Sequence, residues 1–320
     1  MNEMRAAQYD AYGPPEVLRV RTVPVPRLRP GHLLVRVAAS SVNGADVAVR
    51  AGKLKLVTGR SFPRGAGFDF AGQVVEAADD VSGLAAGDEV WGFLDGARQA
   101  GPSGAAAEYV LAPAKSTARR PRSAGPVEAA ALSGVGASAI GVLRDAVRLR
   151  AGERVLIRGA NGGVGTAAVQ VARALGGRVT ALAGAPHLDR LRDLGAEQAF
   201  DYHVTDPRDL GRFDVIVDPV GRDMGPYRRL LAPGGRMAAM AIGSPADIAY
   251  LLASIAHGGR RVRFVQAPPT TELLTSLADY VDAKSVTAVI DSVYPLDDIA
   301  AAHRSLEKSG GFGKRVIQVV

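Results

Sequence analysis

The chain has 320 residues, 47% of them hydrophobic and 22% charged, with a formal net charge of +7 and no cysteine. These values suit a folded protein of two ordinary domains or one large one and exclude a disordered chain. Without cysteine there are no disulfides, thiol nucleophiles or thiolate metal ligands.

No apolar run reaches the ~20 residues of a membrane span, and the opening Met1-Asn2-Glu3-Met4-Arg5 lacks the apolar core of a signal peptide. A cytoplasmic protein without a membrane partner is expected. The dense basic groups, Arg119-Arg120-Pro121-Arg122 and Arg260-Arg261-Val262-Arg263, carry no interleaved aromatics. They read as solvated surface, and no nucleic-acid partner is expected from them.

The N-terminal third is β-rich. Leu33 to Ala38, Gly72 to Ala77 and Glu89 to Phe93 read as short strands with Pro and Gly between them. From Pro121 to Val127 the composition turns to Pro, Ser, Gly and Arg, and Glu128 to Val147 is alanine-rich with helical spacing. That change places a domain boundary near Ser123.

Val155 to Gly177 forms one unit: the apolar strand Val155-Leu156-Ile157, the turn Gly159-Ala160-Asn161-Gly162-Gly163-Val164-Gly165, and an amphipathic helix. Small residues let a backbone approach a pyrophosphate, and the amides and positive dipole end of the helix attract its charge. Two other readings of the turn stay open: glycines present for geometry alone, or the glycine-rich turn of a methyltransferase.

Strands then follow at 178–183, 198–200, 213–218, 235–242 and 262–266, with helices at 188–194 and 247–257 between them. Such alternation predicts an α/β fold with a parallel, doubly wound sheet. The tail reads as helix 270–282, strand 289–294, helix 296–308 and strand 314–320. In a nucleotide domain of this kind, an Asp or Glu roughly 20 residues after the turn binds the ribose 2′-hydroxyl of NADH. Here the second strand ends Ala181-Leu182-Ala183-Gly184-Ala185, so NADPH is favoured over NADH.

Several ordered motifs carry a resemblance to a family: Gly13-Pro14-Pro15-Glu16-Val17-Leu18, Ser41-Val42-Asn43-Gly44-Ala45-Asp46 with Arg50-Ala51-Gly52, Gly67-Phe68-Asp69-Phe70-Ala71-Gly72, Gly87-Asp88-Glu89-Val90-Trp91-Gly92, the Ala160-to-Gly165 turn, Leu194-Gly195-Ala196 and Gly313-Lys314. Over nearly its whole length the chain resembles the medium-chain dehydrogenase/reductase superfamily, within it the zinc-independent quinone oxidoreductase and enoyl reductase branch. The resemblance implies a GroES-like β-rich catalytic domain from residues 1–123 and 267–320, and a Rossmann nucleotide-binding domain from residues 124–266. It removes the methyltransferase reading, since that family supplies neither the N-terminal motifs nor the returning tail.

The resemblance also implies site residues. In the metal-dependent branch a Cys and a His-Glu pair bind a catalytic zinc; the matching positions carry Asn43 and Phe68-Asp69, so no zinc is expected. Asn43 falls where a residue lies beside the nicotinamide, and is the candidate to orient the cofactor or the substrate oxygen; capping a turn is its other reading. Asp46 reads as a structural acceptor and Trp91 as core. Relatives often carry a Tyr where this chain has Ala48, a change that enlarges the pocket, which Phe68 and Phe93 would line. The positions that contact the 2′-phosphate in relatives, a Lys and a Tyr, are here His187 and Tyr202, with Arg190 a further cation.

Remaining cofactor contacts are implied at Gly184, Pro219, Ile242, Val265 and Phe312, with Lys314 reaching a phosphate. A homodimer is implied through the edge strand Val262 to Val265. The expected activity is hydride transfer from NADPH to a quinone or an α,β-unsaturated ketone. Two alternatives stand beside it: an enoyl reductase tailoring a polyketide-like product, and an NADPH-binding structural or RNA-binding protein with little catalysis.

Overall fold

A computed structural model describes residues 2–94, 104–308 and 310–320, except for the side chains of residues 259 and 260. The chain divides into two compact units, one of residues 1–137 and 268–320, the other of residues 138–267.

In the first unit a seven-stranded sheet runs in the order Ile290–Pro295, Lys314–Gln318, His32–Val42, Asp69–Ala77, Glu89–Phe93, Thr117–Arg119, with Tyr109–Pro113 also paired to His32–Val42. A smaller sheet holds Arg19–Pro24, Glu3–Tyr9 and Arg64–Gly65. The register of the large sheet matters most. Arg315 lies opposite Val42 and Ser41 opposite Asp69. The C-terminal strand is thereby brought back beside the N-terminal motifs, and Lys314, Asn43 and Asp69 meet at one end of three adjacent strands. Leu33, Val35, Val37, Phe70, Val74 and Val90 fill the core beneath, and Trp91 is fully buried as read from the sequence.

The second unit is a six-stranded sheet in the order Gln198–Asp201, Arg178–Ala183, Arg154–Arg158, Phe213–Asp218, Leu231–Ala239, Val262–Phe264. Every pairing in it is parallel. The order reverses at the central Arg154–Arg158 strand, which is where ligands bind in doubly wound sheets. Leu156, Phe213, Ile216, Met237 and Val262 form part of its core.

Four sequence expectations shift. The strand read at 235–242 is Leu231–Ala239, because Leu231 pairs with Phe213 ahead of a register break. The N-terminal strands Glu3–Tyr9 and Arg19–Pro24 were not read at all, and neither was the helix Gly44–Arg50. The division between units falls at 137/138 inside the helix Pro126–Ile140, not at Ser123. There Ser133 donates to Asp69 and Gly136 lies against Leu277, which ties the first turns of that helix to the β-rich unit. Finally, with the π-helical turn Gly141–Ala146 this helix runs 126–146, long and apolar enough by composition to cross a membrane. Its most apolar window is 78% buried inside the protein, as for a core helix.

Of the basic groups, Arg119, Arg122, Arg261 and Arg263 are exposed, whereas the Arg120 side chain is only 12% exposed; Arg119 and Arg120 pair with Asp88 and Glu89 at 2.6 Å each. The side chain of Arg260 lies outside the described residues.

Candidate active site

The glycine turn joins the central strand Arg154–Arg158 to the helix Gly163–Ala174, with Gly162 as N-cap in extended conformation. The first bond into the helix runs from Thr166 N to Gly162 O, so the amides of Gly163, Val164 and Gly165 have no intrahelical carbonyl to meet. Gly159 adopts φ +55°, and a Cβ on Gly165 would lie 2.2 Å from Gly159 O. Only glycine lets the helix approach the strand this closely. A Cβ on exposed Gly162, by contrast, would meet nothing nearer than Gly159 O at 3.5 Å. Ala160 is fully buried behind the turn and Asn161 half-buried on it. The open face at a helix N-terminus fits a pyrophosphate.

At the end of the neighbouring strand Arg178–Ala183, Gly184 caps a short turn with Tyr202 next to it: a Cβ on Gly184 would lie 4.0 Å from Tyr202 Cε1. Tyr202 is half exposed, with its ring 4.0 Å from that of His203. His187 is buried beneath the turn, which leaves Tyr202 as the open polar side chain of the two. No carboxylate ends this strand. Pro219 and Ile242, half-buried, follow the strands Phe213–Asp218 and Leu231–Ala239, and half-buried Val265 donates its amide to Ala239 O at 2.9 Å.

Sequence reasoning missed the device that fixes the loop after Phe213–Asp218. Arg158 ends the central strand and donates to Asp218 Oδ2 at 2.5 Å and to Arg222 O at 2.8 Å, with its guanidinium 3.8 Å from the Tyr227 ring centroid. Asp218 Oδ1 accepts the amides of Val220 and Gly221 at 3.0 and 3.1 Å. The pair is buried, and it locks the loop after the fourth strand beside the glycine turn. An arginine closing an otherwise apolar central strand was the available signal.

In the β-rich unit several of the sequence anchors converge on Asp69, which is fully buried. Its Oδ2 accepts from Ser41 Oγ at 2.6 Å, Asn43 Nδ2 at 2.6 Å and Lys314 Nζ at 3.3 Å, and its Oδ1 accepts from Ser133 Oγ at 2.9 Å. Lys314 Nζ also donates to Asn43 Oδ1. The helix carrying Ser133 comes this close because its next residue is glycine: a Cβ on Gly134 would lie 2.4 Å from Asp69 Oδ1 and 3.0 Å from the Phe93 ring.

Lys314 therefore departs from its expected place at a cofactor phosphate. It is 4% exposed and its ammonium is committed to Asn43 and Asp69, since a buried cation needs a partner. Phe312, expected at the cofactor, is buried, and its amide donates to Asp291 at 2.9 Å. Asn43 caps the helix Gly44–Arg50, whose Asp46 accepts the Asn43 amide at 2.8 Å. Asp46 is buried with its Oδ1 unpartnered, and its pKa is pushed up to about 7 by burial and by Asp69 nearby. Ala48 sits half-buried on the same helix, and Phe68 and Phe93 form a ring pair 5.7 Å apart.

These residues do not fit a tetrahedral zinc. The matching positions carry an amide and a carboxylate with Phe68 in place of a ligand, and the Lys314 ammonium already bonds both polar groups. Among the described residues no group of three or more His, Asp and Glu could hold a metal ion.

The fold joins a dinucleotide turn in one unit to a buried polar cluster in a β-rich unit, the combination of a nicotinamide-dependent oxidoreductase. The family model described as alcohol dehydrogenase GroES-like domain matches residues 29–122, and that described as zinc-binding dehydrogenase matches residues 194–317. The chain is 32% identical to a 2-methylene-furan-3-one reductase of Solanum lycopersicum, over all of this chain and 80% of that protein. It is 30% identical to a chloroplastic NADPH-dependent alkenal/one oxidoreductase of Arabidopsis thaliana, over 98% of this chain and 79% of that one. The solved quinone oxidoreductase of Coxiella burnetii matches with a TM-score of 0.88 at 29% identity, covering 99% of this chain and 100% of its own. The chain belongs to the medium-chain dehydrogenase/reductase superfamily, in the branch of the zinc-independent quinone oxidoreductases, and is an oxidoreductase of that type.

Proposed function

We propose that the protein is an NADPH-dependent reductase of a quinone or an α,β-unsaturated ketone that works without zinc. The observation that carries this reading is the glycine turn, where Gly165 packs against the Gly159 carbonyl and leaves the helix amides facing outward. Bound there, NADPH supplies the hydride. The turn from Ala160 to Gly165 holds the pyrophosphate, while Tyr202, beside a strand end without a carboxylate, stands at the 2′-phosphate.

The substrate class follows from what the catalytic unit offers. The cation of the cluster, Lys314, is paired with Asp69, so its charge is not free to polarise an isolated ketone. A conjugated acceptor spreads the developing charge and needs only hydrogen bonds at its oxygen. Asn43 is the donor at that position; Ala48 leaves room beside it, and the Phe68 and Phe93 rings form an apolar wall. With no tyrosine at residue 48, the proton comes from water. Relatives named as furanone, alkenal/one and quinone reductases support the same class.

The reading extends to a cytoplasmic homodimer. Val262–Phe264 is the edge strand of the parallel sheet, with Phe264, Ile248, Leu252 and Ile255 all 40–60% exposed beside it in chain and sheet order. A second copy added edge to edge would cover that apolar surface.

Calorimetric titration with NADPH and NADH, for wild type and Gly163→Asp, tests the cofactor assignment. Tight NADPH binding, weaker NADH binding and loss of both in the variant are expected. Equal or tighter NADH binding would overturn the NADPH preference, and no binding of either would overturn the nucleotide site.

A further inference from the structure

We infer that Lys314 and Asp69 are positioning residues that aim one N–H of Asn43 at the carbonyl oxygen of the acceptor; this rests on the reductase reading above. Five side chains form the cluster, and four of them, Ser41, Asp69, Ser133 and Lys314, are buried. Asn43 alone is half-buried and reaches the surface of the cluster.

The partners dictate how its amide is turned. An ammonium only donates and a carboxylate only accepts, so the atom facing Lys314 is Oδ1 and the atom facing Asp69 is Nδ2. A flipped amide would set N–H against ammonium and oxygen against carboxylate, losing both bonds. Nδ2 has two hydrogens and spends one on Asp69. The other, unlike the third N–H of buried Lys314, sits on the one half-buried member of the cluster, and the Lys314 charge on Oδ1 polarises the amide and strengthens it.

The aim is also fixed from behind. Asn43 follows the strand His32–Val42, its main-chain N–H is tied to Asp46, and Asp69 is held by two hydroxyls besides Asn43 and Lys314. Ser133 and Ser41 together leave the Asp69 carboxylate no freedom to rotate. The result is a donor oriented in advance for an oxygen on which negative charge develops, as an oxyanion site requires.

Three proteins test this: wild type, Lys314→Met, and Lys314→Met with Asp69→Asn, which removes both buried charges. The sequence has only three asparagines, Asn2, Asn43 and Asn161. Isotopic labelling of asparagine therefore gives three side-chain amide pairs in a nuclear magnetic resonance spectrum, Asn2 and Asn43 in the β-rich unit and Asn161 on the glycine turn.

In Lys314→Met the Asn43 pair is expected to move while the Asn161 pair stays. The kcat falls roughly 10- to 100-fold from misorientation of the donor, while the NADPH dissociation constant stays within about threefold. The double variant regains thermal stability, because no buried charge is left alone, yet its kcat remains as low as that of the single variant. An unmoved Asn43 pair in Lys314→Met would overturn the inference, as would a double variant that regains stability and kcat together, since Lys314 would then only balance Asp69. If Lys314→Met does not fold, the double variant decides by the same two readings. A wild type that turns over no acceptor, with an Asn161 pair unmoved by NADPH, refutes the reductase reading instead; the Asn43 pair still reports whether Lys314 fixes the amide.

Discussion

Asp46 carries a cost that its position explains. It is buried, accepts the amide of Asn43 through one oxygen and leaves the other unpartnered, with Asp69 near enough to repel its charge. Its pKa is pushed up to about 7, burial being the larger cause. Between the ordinary carboxylate range and that value, the folded chain holds a proton that the unfolded chain has released, so stability falls as pH rises from about 4 to about 7. His303 acts in the opposite sense: buried with both ring nitrogens unpartnered, it is pushed down to about 3, so stability falls as pH drops from about 6.5 to about 3. Each tenfold change in proton affinity is worth about 1.4 kcal/mol. In Asp46→Asn, which keeps an acceptor for the Asn43 amide, the fall above pH 4 should disappear while the loss toward acid remains. Denaturant titrations across pH 4 to 8 check this, and an unchanged slope in the variant would refute the assignment.

At the scale of elements, the glycine turn, its flanking strand and helix, and the parallel alternation were legible because each is local: period, small residues and turn chemistry lie within a few residues of one another. The buried polar cluster around Asp69 was not. Asp69 and Lys314 are 245 residues apart, and nothing near Lys314 in sequence says that a strand returns it to Asn43; it read instead as a free cation for a phosphate. The strand Glu3–Tyr9 escaped because Ala6, Ala7, Gln8 and Tyr9 are buried in succession, two of them small and one polar, which breaks the alternating pattern. The edge element Val262–Phe264 carries its own test. Phe264→Glu with Leu252→Glu puts two charges on the exposed apolar surface and is expected to yield monomers by light scattering where wild type is a dimer. A wild type that is already monomeric, or a variant that stays dimeric, would contradict the edge-to-edge assembly.

At the scale of the whole molecule, the two units divide the work. One sheet order reverses at a glycine turn suited to a pyrophosphate, and a second sheet gathers three distant chain segments around one buried carboxylate. The family, and through it the quinone or enone substrate class, were legible from motifs spread along the chain; the structure adds where Lys314 is spent. The most direct test is NADPH oxidation by purified, chelator-treated protein across a panel of quinones and α,β-unsaturated ketones, with saturated ketones as controls. The account requires turnover of at least one conjugated acceptor, none of saturated ketones, and no change on adding zinc. Turnover that depends on zinc, or NADPH binding without turnover of any acceptor, would contradict it.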